Sequence, residues 1–404
     1  MSRWMYFLFL CVAVGATEHG NDEWLEVNIE QGPVRGQLDS GGELWTFLNI
    51  PYATAPTGKH KFKAPLPPPT WTKTYDAVDR RIICPQFVWK SVMTGDYSMQ
   101  EDCLVANIYV PDTRRKNLSV LVYVHGGAFQ LGYGDWFEAK NLLKYKDFIA
   151  VTFNYRLGIH GFLCLGTEDI PGNAGMKDQV ALLKWVQKNI AAFGGNPNDV
   201  TIGGSSAGSM SVDLLTISKS AEGLFHKVIP ESGSNLSTFS SQSNPLQNAK
   251  DHAKTLNFTN VDDIYQLEEF YKTLSYETLI GKGLNFDDPY FFTPCVERPT
   301  GDGSFLTESP FSILKSEEYR NMKKSIREIW HNFIKTGKPV PEGSSIPSWP
   351  PVGEDTSPYM SLGRTVELHS SALTEDRTRF WENIYQKYYQ EPLSPPKPYS
   401  RSDL

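Results

Sequence analysis

The 404-residue sequence is poor in charge: only 21% of its residues are charged, and the formal net charge is -7. No basic run alternates with aromatic residues, so the pattern of a nucleic-acid-binding surface is missing. Beyond the N-terminus no long apolar run occurs, which argues against a transmembrane anchor in the mature chain. With 40% hydrophobic and 13% aromatic residues, the chain can bury a large core, as one large domain or two ordinary ones.

The first 16 residues have the pattern of a secretory signal peptide. Arg3 supplies the positive charge, residues 6–14 form an apolar run, and Val14-Gly15-Ala16 is a small-residue cleavage site. The run is too short to span a bilayer well, although an anchor is the alternative interpretation. We therefore expect a secreted chain or one in the lumen of the secretory pathway. The C-terminal RSDL only distantly resembles a retention signal.

Cysteine is scarce, with five residues, and Cys11 leaves with the signal peptide. The secretory pathway is oxidising, so the remaining four cysteines can form disulfides there. Cys84 and Cys103 are close in sequence in polar, loop-like surroundings, whereas Cys164 lies in the apolar run GFLCLG and is predicted to be a buried free thiol. Three sequons predict N-glycosylation, although each could be a chance match: Asn117, Asn235 and Asn257.

The order of predicted strands and helices indicates an α/β fold. Apolar or alternating stretches indicate strands: LVANIYVP, SVLVYVHGG, DFIAVTFNYRLG, DVTIGG and HKVIPESGS. Helices are indicated for KDQVALLKWVQKNIAAFGG and AGSMSVDLLTI. This alternation implies a mostly parallel central sheet covered by helices. We expect a single domain over residues 17–390 that closes with the helix LTEDRTRFWENIYQKYY, followed by a disordered Pro-rich tail over 391–404.

The stretch VTIGGSSAGS contains the pattern G-x-S-x-G, with Ser206 at its centre. A predicted strand precedes it and a predicted helix follows, which is the context of a nucleophile elbow. Such a sharp turn requires glycine-sized residues two positions before and two after the serine, because larger side chains would collide. It holds the hydroxyl at a helix N-terminus, where developing negative charge is stabilised. The alternative is an ordinary Gly/Ser-rich turn.

A second motif, His125-Gly126-Gly127, ends the strand VYVHGGAF. The tetrahedral intermediate of ester hydrolysis carries an oxyanion that backbone N–H groups must approach closely, and paired glycines permit this. We predict an oxyanion hole formed by the amides of Gly126, Gly127 and Ala207. His125 directly precedes the glycines at a strand end, so we expect it to orient the loop rather than to act as a base.

These motifs resemble those of the type-B carboxylesterases and cholinesterases, which are α/β-hydrolases, and the chain is similar to secreted insect esterases. The resemblance covers most of residues 25–390 and includes IPYATAPTG, EDCLVANIYVP, GNAGMKDQVALLKWV, FGGNPNDVTIGGSSAGS and WHNFIKTGKPVP. It implies an α/β-hydrolase fold that hydrolyses small carboxylic esters without metal or cofactor. By the same resemblance Ser206 is the nucleophile, Ser232 is a hydroxyl near the triad, and Cys84 pairs with Cys103.

The sequence departs from this family at about residues 319–323. There FLTESPFSILKSEEYRN passes directly to KKSIREIWHNFIKTGKP, which belongs near the family's C-terminal end. The missing block carries the family's triad acid, its triad histidine and at least two strands, so we expect a fold truncated after the lid region, with an exposed sheet edge. Ser205 is a smaller departure, since the family often has an acidic residue before the nucleophile.

Four histidines follow Ser206, and each is predicted to be a surface or structural residue rather than a base: His226, His252, His331 and His369. His369, in a predicted late loop, is the least improbable substitute. Three interpretations follow: a secreted serine ester hydrolase, a catalytically inactive esterase-fold protein that binds esters or other partners, or an incomplete version of a longer enzyme whose block was skipped. The sequence specifies neither the ester nor an oligomeric state.

Overall fold

The structure is a computed structural model. It describes residues 23–88, 96–136, 143, 146–281, 292–299, 303–313, 317–340, 343–344, 346–351, 359–362 and 366–369. The chain forms two compact units, residues 1–310 and 311–404. The predicted signal peptide, the closing helix over LTEDRTRFWENIYQKYY and the Pro-rich tail all lie outside the described residues.

In its described residues, the first unit is built on a mixed sheet of nine strands in the order β1-β2-β3-β7-β9-β8-β10-β11, with β4 beside β2. Its strands are β1 (Trp24–Ile29), β2 (Gly32–Leu38), β3 (Leu44–Pro51), β4 (Tyr75–Asp76), β7 (Val105–Pro111), β8 (Leu118–Val124), β9 (Phe148–Phe153), β10 (Gly195–Ser205) and β11 (Lys227–Glu231). A separate two-stranded sheet pairs β5 (Ile82–Ile83) with β6 (Ser98–Met99). The adjacent strands β9, β8, β10 and β11 are parallel to one another, as predicted. On the other side of the sheet, the adjacent strands β1, β2, β3, β7 and β9 are antiparallel.

Apolar side chains form a continuous row across the parallel strands. Val122 of β8 is paired with Val151 of β9 on one side and with Ile202 of β10 on the other. All three are almost completely buried, which explains why their strands are nearly uniformly apolar in sequence. Strands covered on both faces have this composition.

Helices follow and connect the strands of the first unit. Those in its described ranges are α1 (Gly158–Phe162), α2 (Ala174–Asn189), α3 (Ala207–Ile217), α4 (Pro245–Thr255), α5 (Ile264–Thr273) and α6 (Tyr276–Ile280). Later in the chain come α7 (Pro310–Ile313) and α8 (Glu317–Thr336). The helical spacing seen in the sequence is confirmed for α2, whose Val180, Leu183 and Val186 are all buried. A 3₁₀ turn follows α2 and ends at Gly194, which has φ 87°. That left-handed conformation suits glycine.

Strand β11 is the last strand on its side of the described sheet, since it pairs with β10 alone. Four of its five residues are exposed, and the side chain of Ile229 is 48% exposed. A central strand would instead be covered. An exposed sheet edge, as predicted, therefore exists in the part of the chain that the structure describes.

Two disulfides cross-link the first unit. The predicted bond between Cys84 and Cys103 is confirmed, with a Cα–Cα distance of 5.0 Å. The prediction that Cys164 is a free thiol is wrong, because Cys164 bonds to Cys295 with a Cα–Cα distance of 6.7 Å. The apolar surroundings correctly indicated burial. The partner, however, comes from a segment 131 residues later, which a local pattern does not reveal.

The second unit contains α8 and the hairpin of β12 (Tyr359–Leu362) and β13 (Val366–His369). Its small core consists of four buried residues with Trp349 packed against them: Ile329, Val340, Ile346 and Met360. Helix α8 continues without a break through residues 319–323, the predicted seam. His331 lies on this helix as predicted, whereas His369 ends β13 rather than lying in a loop.

Candidate active site

Ser206 lies at the junction of β10 and α3 in strained backbone. Its φ is 57° and its ψ is -119°, a combination that non-glycine residues rarely adopt and that clusters at functional sites. Its amide donates to the carbonyl of Glu231 at 2.9 Å, and its carbonyl accepts from the amide of Met210 at 3.0 Å. The turn is thus held from both sides while the Ser206 side chain remains exposed.

The glycines around Ser206 are required by close backbone contacts. A Cβ atom on Gly208 would lie 2.1 Å from the carbonyl oxygen of Val124, and one on Gly204 would lie 2.6 Å from the carbonyl of Gly208. Real Cβ atoms essentially never approach that closely. The requirement for glycine two residues before and two after Ser206 is therefore confirmed. The choice between a nucleophile elbow and an ordinary Gly/Ser-rich turn stays a prediction.

The loop that follows β8 packs directly against the elbow. A Cβ atom on Gly126 would lie 2.7 Å from the carbonyl oxygen of Ser205 and 3.3 Å from Cβ of Ser206. Gly127 has φ 102°, a conformation that favours glycine. Ala207 is the first residue of α3, where backbone N–H groups have no partner within the helix. The three residues predicted to form the oxyanion hole are thus on the loop and the turn that meet at Ser206.

His125 is buried behind this loop and contacts its backbone. Nδ1 of the ring lies 2.8 Å from the carbonyl oxygen of Gly126, so this nitrogen is assigned the proton and donates it. The ring stacks on Tyr155 with a centroid distance of 4.4 Å. Burial lowers the pKa of His125 to about 4, which keeps the ring neutral at pH 7.

The hydrogen bond from His125 also orients the predicted oxyanion-hole donor. In a planar trans peptide the carbonyl of one residue and the N–H of the next point in opposite directions. Holding the Gly126 carbonyl therefore fixes the direction of the Gly127 N–H. This geometry supports the predicted orienting role of His125, since its Nδ1 is occupied by the backbone.

Further anchors of the loop were not indicated by the sequence. The side chain of Gln86 accepts from the amide of Gly132 at 2.7 Å and donates to the Gly132 carbonyl at 2.9 Å. Tyr155 donates from its hydroxyl to the His125 carbonyl at 3.0 Å. Gln86 lies two residues from Cys84, whose disulfide fixes the local chain. That proximity is the only sequence cue that could have suggested its role.

Ser232 follows β11 and is exposed, with φ 60°. Its neighbour Gly233 packs on the elbow, because a Cβ there would lie 2.5 Å from the Ser206 carbonyl oxygen. The buried hydroxyl of Ser209 donates to the Gly233 carbonyl at 2.8 Å. Ser232 is thus next to the elbow, and its predicted role as an accessory hydroxyl remains a prediction.

No hydrogen bond joins a histidine to the Ser206 hydroxyl among the described residues. The amide of His226 donates to Val200, six residues before Ser206, which corresponds to about 20 Å along the strand. Nδ1 of His252 lies 3.0 Å from the hydroxyl of Tyr271, and both side chains are buried. His160 is buried 3.8 Å from Glu101. Burial also lowers the pKa of His160.

The predicted glycosylation sites differ in accessibility. The side chains of Asn117 and Asn257 are exposed, as an acceptor must be. Asn235 is buried, and its backbone N–H donates a hydrogen bond to Asp213 Oδ2 at 2.7 Å. In the folded chain a glycan at Asn235 would therefore displace packed structure, which leaves Asn117 and Asn257 as the better predictions.

A sequence model described as the carboxylesterase family matches residues 23–322. The chain belongs to the carboxylesterase family. The match ends at residue 322, inside the predicted seam at residues 319–323, and the absence of a block there stays a prediction. No helix in the described ranges is both long and apolar enough to cross a membrane.

Individual members of the carboxylesterase family match the chain over part of their length. It is 44% identical over 215 residues to a para-nitrobenzyl esterase of Bacillus subtilis, covering 51% of this chain and 43% of that protein. It is 39% identical over 246 residues to a juvenile hormone esterase of Heliothis virescens, covering 58% and 43%. A cholinesterase of Mus musculus is 33% identical over 342 residues, covering 77% and 54%. The chain thus spans about half the length of these relatives.

Solved carboxylesterase structures share the fold. Juvenile hormone esterase from Manduca sexta, with OTFP covalently attached, superposes with a TM-score of 0.64 at 28% identity, covering 91% of this chain and 71% of that one. A PNB esterase superposes with a TM-score of 0.59 at 26% identity, covering 88% and 99%. The α/β-hydrolase fold expected from the sequence is confirmed.

Proposed function

We propose that this chain is a carboxylic ester hydrolase that forms an acyl-enzyme on Ser206. The observation that carries the proposal is the contact between the strained elbow at Ser206 and the glycine loop at Gly126. A protein that used the fold only as a scaffold would have no reason to retain this strain. The covalently modified juvenile hormone esterase among the structural relatives is in keeping with covalent chemistry in this fold.

The proposed reaction uses the turn at Ser206 first and the glycine loop second. The Ser206 hydroxyl oxygen bonds to the acyl carbon, and the amides of Gly126, Gly127 and Ala207 stabilise the oxyanion. The alkoxide then leaves with the proton that Ser206 gave up, and water releases the acid from the acyl-enzyme. No described residue serves as general base. We therefore expect ester hydrolysis to be roughly a thousandfold faster than the uncatalysed reaction in water, and far slower than with a complete triad.

A second candidate is a protein that binds carboxylic esters without hydrolysing them. It is favoured by the positions of four described histidines of the first unit. His125, His160 and His252 are buried and contact other groups, and His226 directly precedes β11 at the strand end away from Ser206. In this case the elbow and the glycine loop would hold the ester carbonyl, while the reaction would stop before acyl transfer.

We also propose that the chain functions in the secretory pathway or outside the cell. Two buried disulfides support this location, since such bonds persist in oxidising compartments. The exposed sequons at Asn117 and Asn257 are consistent with it. Detection of the chain and its glycans in the culture medium of a secreting cell line would test the location.

The deciding experiment is hydrolysis of p-nitrophenyl butyrate by the purified chain, with and without added imidazole. If Ser206 and the oxyanion hole are intact and only the base is lacking, imidazole should accelerate acyl transfer. Ser206→Ala should remove this activity, while Ser205→Ala, which changes the adjacent hydroxyl, should retain it. A folded chain with no turnover above Ser206→Ala at any imidazole concentration would contradict the hydrolase. Saturable binding of the ester by that inactive chain would establish the second candidate.

A further inference from the structure

A groove that is separate from the elbow lies along the outer face of α2. Its volume is about 540 Å³, and it is bounded by α2 on one side and residues 64–70 on the other. The groove shares no lining residue with Ser206, its neighbours Gly204–Gly208 or the glycine loop. Pockets for small molecules have this order of volume, and the elbow chemistry does not account for this one.

Apart from the Thr70 hydroxyl, the wall formed by residues 64–70 is apolar and offers few hydrogen-bond donors. Pro65, Pro67 and Pro68 line it, and proline has no backbone N–H. The amide of Leu66 is already bonded to the Thr54 carbonyl at 2.9 Å. The Thr54 hydroxyl also donates to the Pro67 carbonyl at 3.0 Å. The wall is therefore a fixed apolar surface that suits a hydrocarbon chain.

The opposite wall combines apolar side chains with lysines. Val180, Ala181 and Trp185 of α2 line the groove. The indole N–H of Trp185 donates to Gln31 Oε1 at 2.9 Å, so its donor is already used. The polar groups of this wall that could meet a ligand are therefore the ammonium groups at the rim.

Three lysines of α2 line the groove, at positions 177, 184 and 188. Two have acidic partners: Lys177 contacts Glu297 at 2.9 Å, and Lys188 contacts Glu30 at 3.2 Å. Lys184 is exposed and has no acidic partner within the described ranges of the chain. An apolar groove with one uncompensated cation at its rim is complementary to a molecule with an apolar chain and a single negative charge.

We propose that this groove binds a medium-chain monocarboxylate, with its acyl chain between the proline wall and Val180, Ala181 and Trp185. Its carboxylate would accept hydrogen bonds from the Lys184 ammonium. The binding is non-covalent and does not depend on Ser206. It therefore stands apart from the proposed hydrolase function and would hold even for a catalytically inactive chain.

Calorimetric titration of decanoic acid below its micelle concentration tests the proposal in the Ser206→Ala chain. We expect binding of one molecule per chain. Lys184→Gln should raise the dissociation constant about fivefold, the scale of an exposed ion pair. It should leave the affinity for decanol unchanged, because the alcohol carries no charge. Lys219→Gln is the matched control, since Lys219 is also an exposed lysine but does not line the groove.

A second variant tests the location of the acyl chain. Ala181 is only half-buried on α2, so Ala181→Trp should fill the groove and abolish binding of both ligands without lowering the unfolding midpoint. Decanoic acid that binds Lys184→Gln and Lys219→Gln equally would overturn the role assigned to Lys184. Unchanged binding to a folded Ala181→Trp chain would place the ligand elsewhere and overturn the proposal, whatever the outcome of the ester assays.

Discussion

Removal of the disulfide between Cys164 and Cys295 should destabilise the chain more than removal of the disulfide between Cys84 and Cys103. The perturbation is a pair of double variants, Cys164→Ala/Cys295→Ala and Cys84→Ala/Cys103→Ala. All four cysteines are buried, so each double variant deletes two buried sulfur atoms. The cavity contributions are then similar and largely cancel when the two variants are compared.

The difference follows from the loops that the two bonds close. They span 131 and 19 residues. In the chain-entropy description the longer loop contributes about 5 kcal/mol and the shorter about 3 kcal/mol to the free energy of unfolding. The logarithmic dependence on loop length gives a difference of about 1.7 kcal/mol. The loops do not overlap in sequence, so each bond restricts a different part of the unfolded chain.

The assay is equilibrium unfolding in urea at constant pH, read by tryptophan fluorescence for the wild type and both double variants. Thiol labelling of the wild type in denaturant without reductant is the necessary companion measurement. If Cys164 or Cys295 is labelled, the bond is not formed and the reasoning fails at its first step. If both bonds are present but the Cys84/Cys103 variant is the less stable one, loop entropy does not control the difference.

Two further perturbations test the site. Burial lowers the pKa of His125 from its ordinary 6.5 to about 4, so between these values the unfolded chain binds a proton that the folded chain does not. The contribution of the neutral His125 to the free energy of unfolding is therefore fully present above pH 6.5 and falls by about 3 kcal/mol as the pH drops to 4. Urea unfolding of His125→Gln should show a smaller loss of stability over this pH range. A pH profile identical to that of the wild type would contradict the burial argument. Gly208→Ala places a Cβ 2.1 Å from the Val124 carbonyl, whereas Gly203→Ala meets nothing closer than 3.4 Å. The first should cost about 3 kcal/mol and the second less than about 1 kcal/mol by the same assay, and equal costs would show that the elbow is not tightly packed.

The elbow and the glycine loop could be predicted because their requirements are local. The residues at positions 204 and 208 must be glycine for the turn at Ser206 to form. Both are within two residues of Ser206, so the sequence pattern alone reveals this requirement. The strands were predictable for the same reason, since burial on both faces imposes an apolar run on each strand separately. The antiparallel pairing of β1, β2, β3 and β7 was not foreseen, because pairing direction depends on how connections cross the sheet.

The sequence by itself indicated the family, the strand–turn–helix around Ser206 with its glycines, the glycine loop, and the bond between Cys84 and Cys103. Each of these depends on residues that are neighbours along the chain or on a motif read as a unit. The break at residues 319–323 stays a prediction. Only the tertiary structure decided that Cys164 pairs with Cys295 and that Gln86 anchors Gly132. It alone also assembled the groove between α2 and residues 64–70. These features join segments far apart in sequence, and the packing of the folded sheet and helices, rather than any local pattern, brings them together.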